Sequence, residues 1–264
     1  MKKLALIGHN ISYSLSPFIH GEIFARTGVK ASYELISLSA EELPTAVERL
    51  KTYDGFNITK PHKQNILPYL TDCELKSVNT VKISDGKMYG YSTDAYGFIK
   101  DVELQFGKIY GKALVLGAGG VAGVIAKALK DNGLDVYIWN RTKEKADEMA
   151  RLYGLKSVNR EDIAPDFIVN CTSFGFNRGE NPMADKNGKL AVDISKVKWA
   201  YDTIYSPPET DFLQSFSCKK ANGWGMLILQ AVEADRIMLG LDVSEEKEKE
   251  IYFDIMKKLA KERK

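Results

Sequence analysis

The 264-residue sequence has few of the residues that build disulfide frameworks and metal centres. Its three cysteines, Cys73, Cys171 and Cys218, are far apart and lack C-x-x-C spacing, and it has only three histidines. An odd number of dispersed cysteines argues against a disulfide framework or a zinc site and favours a reducing compartment. The sequence therefore predicts a cytoplasmic protein without a bound metal.

Long hydrophobic runs and an excess of charge of one sign are also absent from the sequence. The N-terminal apolar run, Leu4 to Ile7, is too short for a signal peptide, and no stretch reaches the length of a membrane span. Lysine and arginine total 37 against 35 acidic residues, a net charge of +2, so no strongly basic surface is expected. Neither a membrane nor a nucleic acid is predicted as a partner.

What the sequence does contain is an alternation of short apolar runs and segments of helical periodicity. With 44% hydrophobic residues the chain can bury a substantial core, and its length favours two domains. Ser16 followed by Pro17 predicts a capped helix that Gly28 ends. Alternating strands and helices indicate an α/β fold with parallel sheets.

The predicted elements cover most of the chain, and the helix over 95–106 is the candidate connector between two domains. The predicted strands are 3–8, 32–38, 55–59, 79–83, 87–91, 113–116, 135–139, 166–171, 199–205 and 218–221. The predicted helices are 16–27, 40–51, 61–69, 95–106, 121–131, 143–153, 225–241 and 244–261. The glycine- and asparagine-rich segment 172–191 is predicted to be a loop.

A glycine-rich turn inside a strand-helix-strand unit is the centre of the functional prediction. The strand over 113–116 breaks into Gly117-Ala-Gly119-Gly120 before the helix over 121–131. In dinucleotide-binding units the first glycine permits the turn and the second lets the backbone approach a pyrophosphate, which the N–H groups of the helix N-terminus bind. Gly117, Gly119 and Ala122 have the G-x-G-x-x-A spacing, so the unit predicts a dinucleotide site.

The residues after the second strand of this unit indicate which dinucleotide binds. An NAD site needs an acidic residue there for the ribose hydroxyls, whereas this chain has Asn140, Arg141 and Thr142. An amide, a guanidinium and a hydroxyl suit a 2′-phosphate, so NADP is predicted over NAD. In the structural alternative, Thr142 only caps the helix over 143–153 and Arg141 is a solvated surface charge.

A nicotinamide cofactor implies hydride transfer, which needs a group that exchanges the proton of a substrate hydroxyl. No histidine is well placed by the sequence, so the candidates are polar residues at the ends of the N-terminal elements. They are Ser14, Ser16, Thr59, Lys63, Asn79 and Asp94. Such a set suits a small polyhydroxylated acid. Each residue also has a structural interpretation, since Ser16 and Asp94 are possible helix caps and Lys63 a possible surface lysine.

Eight motifs of this sequence resemble, in their order and spacing, those of the shikimate dehydrogenase family. They are Ser14-Leu-Ser-Pro17, Asn57-Ile-Thr-Lys-Pro-His-Lys63, Val78-Asn-Thr80, Ser92-Thr-Asp94, Gly117-Ala-Gly-Gly120, Asn140-Arg-Thr142, Asp202-Thr-Ile-Tyr-Ser-Pro207 and Gly223-Trp-Gly-Met-Leu-Ile-Leu-Gln230. The resemblance implies NADP-linked, reversible reduction of 3-dehydroshikimate to shikimate in aromatic amino-acid biosynthesis.

The fold that the resemblance implies has two domains with the active site in the cleft between them. An α/β substrate-binding domain would comprise residues 1–95 and 230–264, and a Rossmann-like NADP-binding domain residues 96–229. Family members occur as monomers and as dimers, so the resemblance leaves the choice between a monomer and a homodimer open.

Site residues follow from the same resemblance. Lys63 and Asp94 match the catalytic pair of the family. Ser14 and Ser16 would hold the substrate carboxylate with Tyr205 nearby, and Thr59, Asn79 and Gln230 would hydrogen-bond its hydroxyls. The matching cofactor residues are Gly117, Gly119, Gly120, Asn140, Arg141, Thr142 and Lys145, with Thr203 and Gly223 beside the nicotinamide.

Three positions depart from the family pattern. Lys60 stands where an apolar residue usually precedes the proline, Gly123 where a basic or small polar residue often follows the diglycine turn, and Thr203 where a larger apolar side chain packs near the nicotinamide. Because the turn itself supplies no charge, Arg141 and Lys145 would bind the 2′-phosphate almost unaided.

Other functions remain open from the sequence. A dehydrogenase of dual quinate and shikimate specificity is the alternative enzyme, although Ser14 and Ser16 favour shikimate. A sensor that binds the acid without turning it over would be expected to lose the catalytic pair, whereas Lys63 and Asp94 are both present. A structural Rossmann domain with an unrelated N-terminal partner would leave the order of the motifs unexplained.

Overall fold

The computed structural model describes residues 1–185 and 187–262. Position 186 of the predicted loop and positions 263 and 264 of the predicted substrate-binding domain lie outside the described residues. The chain divides into two compact units, unit 1 of Met1–Gly97 and Leu227–Lys264 and unit 2 of Phe98–Met226. The chain passes from one unit to the other within helices α4, Asp94–Phe106, and α8, Trp224–Leu239.

Unit 1 contains a five-stranded sheet of order β2-β1-β3-β4-β5, in which β1, β2 and β3 are parallel and β4 and β5 form an antiparallel hairpin. Its strands are β1 Lys2–Gly8, β2 Ala31–Ser37, β3 Gly55–Ile58, β4 Thr80–Ser84 and β5 Lys87–Tyr91. Its helices are α1 Ser16–Thr27, α2 Leu43–Leu50, α3 His62–Asn65, a 3-10 helix Leu67–Tyr69 and α9 Glu245–Glu262.

The core of unit 1 follows from the alternation of side chains along its strands. Phe56 and Ile58 of β3 pack in one apolar cluster with Leu43 and Val47 of α2. Gly55 and Asn57 alternate with these apolar residues, so they face the opposite side of the sheet. One face of β3 is therefore purely apolar, whereas the other carries a buried amide.

Unit 2 contains a six-stranded parallel sheet of order β11-β10-β9-β6-β7-β8. Its strands are β6 Lys112–Leu116, β7 Asp135–Trp139, β8 Lys156–Ser157, β9 Phe167–Asn170, β10 Trp199–Asp202 and β11 Lys219–Ala221. Its helices are α5 Gly120–Asp131, α6 Lys143–Tyr153, a 3-10 helix Arg160–Asp162 and α7 Asp211–Gln214.

Strand β6 lies at the centre of this sheet and is buried on both faces. Ala113 and Val115 belong to one apolar cluster, and Leu114 and Leu116 belong to another. The chain adds β7 and β8 on one side of β6 and β9, β10 and β11 on the other. The order of strands reverses beside β6, and ligands of doubly wound sheets bind at the carboxyl ends of the strands at such a point.

The α/β class predicted from the sequence is confirmed, and the main differences have local causes. The predicted helix over 61–69 is divided into α3 and a 3-10 helix, because Pro68 lacks the N–H group that an α-helix would use there. Strand β8 has two residues and is too short to show a pattern. Within the predicted loop over 172–191, Ala184 and Leu190 form an isolated β-bridge.

The predicted N-cap of α1 is wrong. Leu15 occupies the N-cap position without a side-chain bond, and Ser16 is the first residue of the helix, with Pro17 in its first turn. The hydroxyl of Ser14 accepts a hydrogen bond from the Ser16 backbone N–H at 3.2 Å. A serine one position earlier than the N-cap therefore bonds the first turn.

Candidate active site

A lysine and an aspartate form an ion pair in unit 1. Lys63 lies in α3, shortly after β3, and Asp94 is the first residue of α4. Lys63 Nζ is 2.6 Å from Asp94 Oδ2, and the Asp94 side chain is 10% exposed against 25% for that of Lys63. An amine that is paired and still partly accessible can exchange a proton with a bound molecule.

Asn79 joins this pair to two further predicted residues. Its Nδ2 lies 3.0 Å from Asp94 Oδ1 and 2.8 Å from Gln230 Oε1. Its Oδ1 accepts from the Thr93 backbone N–H at 2.8 Å, which fixes the orientation of the amide. The structure therefore brings Lys63, Asp94, Asn79 and Gln230 into one hydrogen-bonded group.

Ser14 and Ser16 place two hydroxyls at the start of α1. Ser14 Oγ donates to Ser16 Oγ at 3.2 Å, and Ser16 is buried. The first turn of this 12-residue helix has no acidic residue. Two hydroxyls at the positive end of a helix dipole suit a carboxylate.

Thr59 follows β3 and is held against the end of β1. Its backbone N–H donates to the Ile7 carbonyl at 2.9 Å. A Cβ added to Gly8 would lie 2.5 Å from Thr59 Cγ2, so a glycine at position 8 is what permits the approach. The Thr59 hydroxyl is therefore placed by the ends of two adjacent parallel strands.

Sequence reasoning gave no role to the buried polar residues that support this group. Tyr33 Oη donates to Asn57 Oδ1 at 2.8 Å, and Asn57 Nδ2 donates to Thr80 Oγ1 at 3.0 Å. Thr80 Oγ1 donates in turn to Asn79 Oδ1 at 3.3 Å. The available signal was Asn57 itself, a polar residue in the short apolar strand Gly55–Ile58.

A histidine and an aspartate are buried behind Tyr33. His20 Nδ1 is 2.9 Å from Asp235 Oδ2, and the His20 ring stacks on the Tyr33 ring with centroids 3.9 Å apart. Burial raises the pKa of Asp235 above its usual range. Burial and the charge of Asp235 raise the pKa of Tyr33 well above its usual range, so Tyr33 keeps its proton and can donate to Asn57.

The glycine turn of unit 2 has the backbone that a pyrophosphate site requires. Gly117 has φ +114°, and a Cβ there would lie 3.0 Å from the Cys171 carbonyl oxygen. Gly119 has nothing within 4 Å of an added Cβ. Helix α5 begins at Gly120 with no side-chain cap and no acidic residue in its first turn. Open space and uncapped N–H groups at this turn fit a phosphate ligand.

Asn140, Arg141 and Thr142 connect β7 to α6. Asn140 Nδ2 donates to the Thr142 carbonyl at 2.9 Å, and the Arg141 guanidinium lies over the Phe174 ring, 5.6 Å from its centroid. Thr142 is the N-cap of α6 but makes no side-chain cap bond. The capping alternative for Thr142 is therefore not realised. Arg141, Thr142 and Lys145 are all exposed.

Thr203 and Gly223 lie next to each other in unit 2. The Gly223 N–H donates to the Ile204 carbonyl at 3.2 Å, and a Cβ on Gly223 would overlap the Thr203 carbonyl oxygen. Thr203 Oγ1 donates to the Asn170 carbonyl at 2.9 Å. Tyr205 follows in the same segment of unit 2, whereas Ser14 and Ser16 belong to unit 1.

Gly123, which departs from the family pattern, has a packing explanation. It is buried in α5, and a Cβ there would lie 2.8 Å from Cε2 of Tyr153 in α6. A larger residue would push the two helices apart or displace the tyrosine ring. The position serves the contact between α5 and α6.

Two family models match parts of this chain. The family model described as the shikimate dehydrogenase substrate binding domain matches residues 6–81, and the model described as shikimate / quinate 5-dehydrogenase matches residues 102–171.

Individual relatives match over nearly the whole chain. The shikimate dehydrogenase (NADP(+)) of Aquifex aeolicus is 37% identical, covering 90% of this chain and 91% of the relative, and that of Clostridium perfringens is 35% identical, covering 97% and 98%. A crystal structure of the Thermus thermophilus shikimate 5-dehydrogenase, in complex with NADP(H) and shikimate, has a TM-score of 0.86 and 31% identity and covers 96% of this chain and 99% of that one. The chain belongs to the shikimate dehydrogenase family.

Proposed function

We propose that this chain catalyses the reversible NADP-dependent oxidation of shikimate to 3-dehydroshikimate. The observation that carries the proposal is the hydrogen-bonded group of Lys63, Asp94, Asn79 and Gln230 in a member of this family. The Thermus thermophilus relative that binds both NADP(H) and shikimate supports the same pair of ligands.

The proton of the reacting hydroxyl is assigned to Lys63. Oxidation of a secondary alcohol to a ketone releases a hydride from carbon and a proton from oxygen. NADP, when bound, accepts the hydride. In the reverse reduction, the Lys63 ammonium, paired with Asp94 Oδ2 at 2.6 Å, gives its proton to the carbonyl oxygen; in the oxidation the hydroxyl proton returns to Lys63 Nζ, where the same ion pair stabilises it.

Substrate orientation is assigned to the remaining polar residues of unit 1. Ser14 and Ser16 bind the carboxylate of shikimate, and Thr59, Asn79 and Gln230 bind its hydroxyls. The Asn79 amide is oriented by Thr93 and Asp94, and its Nδ2 also donates to Gln230 Oε1, so a substrate hydroxyl would take the place of one of these bonds. Tyr205, in unit 2, is assigned to the carboxylate end on the strength of the family motif alone.

The NADP site is assigned to unit 2. Gly117, Gly119 and Gly120 bind the pyrophosphate, and Thr203 and Gly223 lie beside the nicotinamide. Asn140, Arg141, Thr142 and Lys145 bind the adenosine 2′-phosphate. Arg141 is the strongest member of this set, because its guanidinium is exposed and supported on the ring of Phe174.

Initial rates of shikimate oxidation, with NADP and with NAD, test this proposal. We expect the wild type to prefer NADP. Arg141→Ser should raise the KM for NADP by about tenfold or more and leave the rate with NAD nearly unchanged, since only NADP carries the phosphate. Arg151→Ser removes an exposed arginine from the last turn of the helix that follows and should change neither rate.

Three outcomes would overturn the proposal. Equal use of NAD and NADP by the wild type would contradict the phosphate assignment. Turnover of quinate in preference to shikimate would move the function to the alternative enzyme, and tight binding of shikimate without turnover would indicate a sensor.

A further inference from the structure

Strands β9 and β10 end in a buried polar pair that the mechanism above does not use. Asn170 and Asp202 are the last residues of these strands, lie opposite each other in register and have no exposed surface. Asn170 Nδ2 donates to Asp202 Oδ1 at 3.0 Å. Buried polar groups are costly unless they are hydrogen-bonded, so the other bonds of this pair show what it holds in place.

Asn170 folds the loop that follows β9. Its Oδ1 accepts from the Thr172 backbone N–H at 2.9 Å and from Thr172 Oγ1 at 2.7 Å, and its Nδ2 also donates to the Phe174 carbonyl at 2.9 Å. The Phe174 ring supports Arg141, and Thr172 Cγ2 lies 3.2 Å from the position of a Cβ on Gly117. The loop therefore packs against both the glycine turn and Arg141.

Asp202 folds the segment that follows β10. Its Oδ1 also accepts from the Ile204 backbone N–H at 3.0 Å, and the Ile204 carbonyl accepts from the Gly223 N–H at 3.2 Å. The Asn170 carbonyl accepts from the Thr203 N–H at 3.0 Å and from Thr203 Oγ1 at 2.9 Å. Thr203 and Gly223 are therefore placed by the same pair.

We propose that Asn170 and Asp202 are positioning residues of the NADP site. They would hold the glycine turn, the support of Arg141 and the Thr203–Gly223 segment in one arrangement before the cofactor binds, so that binding does not have to order them. The inference rests on the proposed NADP-dependent function and deepens it, because neither residue touches the cofactor in this assignment.

The charge of Asp202 is part of the arrangement. As a carboxylate it accepts three hydrogen bonds, from Asn170, from Ile204 and from Thr210 Oγ1 at 2.6 Å. Burial raises the pKa of Asp202 to about 6 against these hydrogen bonds. The Cys171 thiol also faces Asp202; burial and Asp202 raise the pKa of Cys171 well above its usual range, so that thiol stays neutral. Protonation below about pH 6 converts one acceptor into a donor.

The dissociation constant for NADP, followed by tryptophan fluorescence, tests the proposal without relying on turnover. Trp139, Trp199 and Trp224 all belong to unit 2. Asp202→Asn keeps the shape but removes the charge, and we expect it to weaken NADP binding roughly tenfold, the effect of losing one charge-assisted hydrogen bond. The affinity for shikimate, measured by calorimetry, should not change, because its proposed ligands lie mainly in unit 1.

Further variants separate positioning from general destabilisation. Glu248→Gln is a matched carboxylate-to-amide change at a buried residue of unit 1, where Glu248 pairs with Arg236 and accepts from Tyr96 at 2.7 Å. It should lower the melting temperature without changing NADP affinity.

Thr210→Val removes the hydroxyl bonded to Asp202, whereas Thr210→Ser retains it. If Asp202→Asn fails to fold, the Thr210 variants test the proposal instead. We then expect Thr210→Val to bind NADP more weakly and Thr210→Ser to bind it nearly as tightly as the wild type.

The pH dependence gives an independent measurement. Between pH 7 and 5 the wild type should lose more NADP affinity than Asp202→Asn. The 2′-phosphate of NADP titrates in the same range, so the quantity to compare is the difference in the loss of affinity between the wild type and Asp202→Asn.

Wild-type affinity in both Asp202→Asn and Thr210→Val would overturn the inference while the proposed function stands. Failure of the wild type itself to bind NADP would overturn both.

Discussion

Both the oxygen and the nitrogen of the Asn57 side-chain amide are hydrogen-bonded in the interior of unit 1. It is 5% exposed, and its Oδ1 and Nδ2 bond to side chains from different strands, Tyr33 of β2 and Thr80 of β4. Because Asn57 and Thr80 are directly opposed in the β3–β4 register, their bond also fixes where Asn79 and Thr59 emerge from the sheet. A single buried side chain thus connects two residues of the proposed substrate site.

Replacement of Asn57 tests the importance of this buried chain of hydrogen bonds. We expect Asn57→Ala to lower the free energy of unfolding by about 2–4 kcal/mol, because Tyr33 and Thr80 lose the buried amide that they share. Urea unfolding followed by circular dichroism measures this change, since the tryptophans report on unit 2. The control Asn65→Ala, at an exposed position of α3, should change the free energy by less than about 0.5 kcal/mol. Equal effects of the two variants would contradict the argument.

Some residues of the candidate site could be predicted from the sequence, whereas the residues that support them could not. The difference lies in whether their hydrogen-bond partners are set by local elements or by the order of strands in the sheet. Lys63, Asn79 and Asp94 stand near the ends of locally predicted elements. Their residue types suit a small polyhydroxylated acid as the ligand. The support from Tyr33 and Asn57 depends on strand order, because β1 separates β2 from β3. Pairing of that kind is set by the tertiary fold, so no pattern along the chain shows it.

Helices and strands with local end signals match their predicted bounds. Helix α1 ends before Gly28 and α6 before Gly154, and both glycines adopt the left-handed conformation that terminates helices. Strand β10 shows the opposite case. It ends at Asp202 rather than at Tyr205, because the Ile204 backbone N–H donates to Asp202 Oδ1 and so bends the chain away from the sheet. At β10, therefore, a side-chain hydrogen bond rather than periodicity sets the end of the strand.

Two glycines within helices differ in their surroundings. Replacing each with alanine compares the effect of helix propensity with the effect of packing. Gly21 of α1 is exposed and has nothing within 4 Å of an added Cβ, whereas a Cβ on Gly225 of α8 would overlap the buried Asp101 carboxylate, which also accepts from Tyr201 at 2.6 Å. Gly21→Ala should raise the free energy of unfolding by about 0.5–1 kcal/mol. Gly225→Ala should lower it by about 1–3 kcal/mol. Thermal unfolding measures both changes, and shifts of the same sign would contradict the overlap expected between an alanine at position 225 and Asp101.

At the scale of the whole molecule, each unit places several of its proposed ligand-binding residues at the carboxyl ends of parallel strands. In unit 1 these are the ends of β1 and β3, and in unit 2 the ends of β6, β7, β9 and β10. This is where open α/β sheets bind ligands, so one rule accounts for both proposed sites. Over residues 1–185 and 187–262, no helix is both long and apolar enough to cross a membrane.

The measurement that tests the account most directly is the turnover of shikimate by the wild type and by Lys63→Ala, with NADP and reduced-nicotinamide absorbance as the signal. We expect the wild type to oxidise shikimate and Lys63→Ala to lose at least ~10²-fold in kcat, since the variant lacks the group that takes the hydroxyl proton. The control Lys60→Ala, an exposed lysine of the same segment, should retain wild-type turnover. Loss of kcat in Lys63→Ala alone would support the assignment of proton transfer. A wild type that does not oxidise shikimate, or a Lys63→Ala variant within a few-fold of it, would contradict the account.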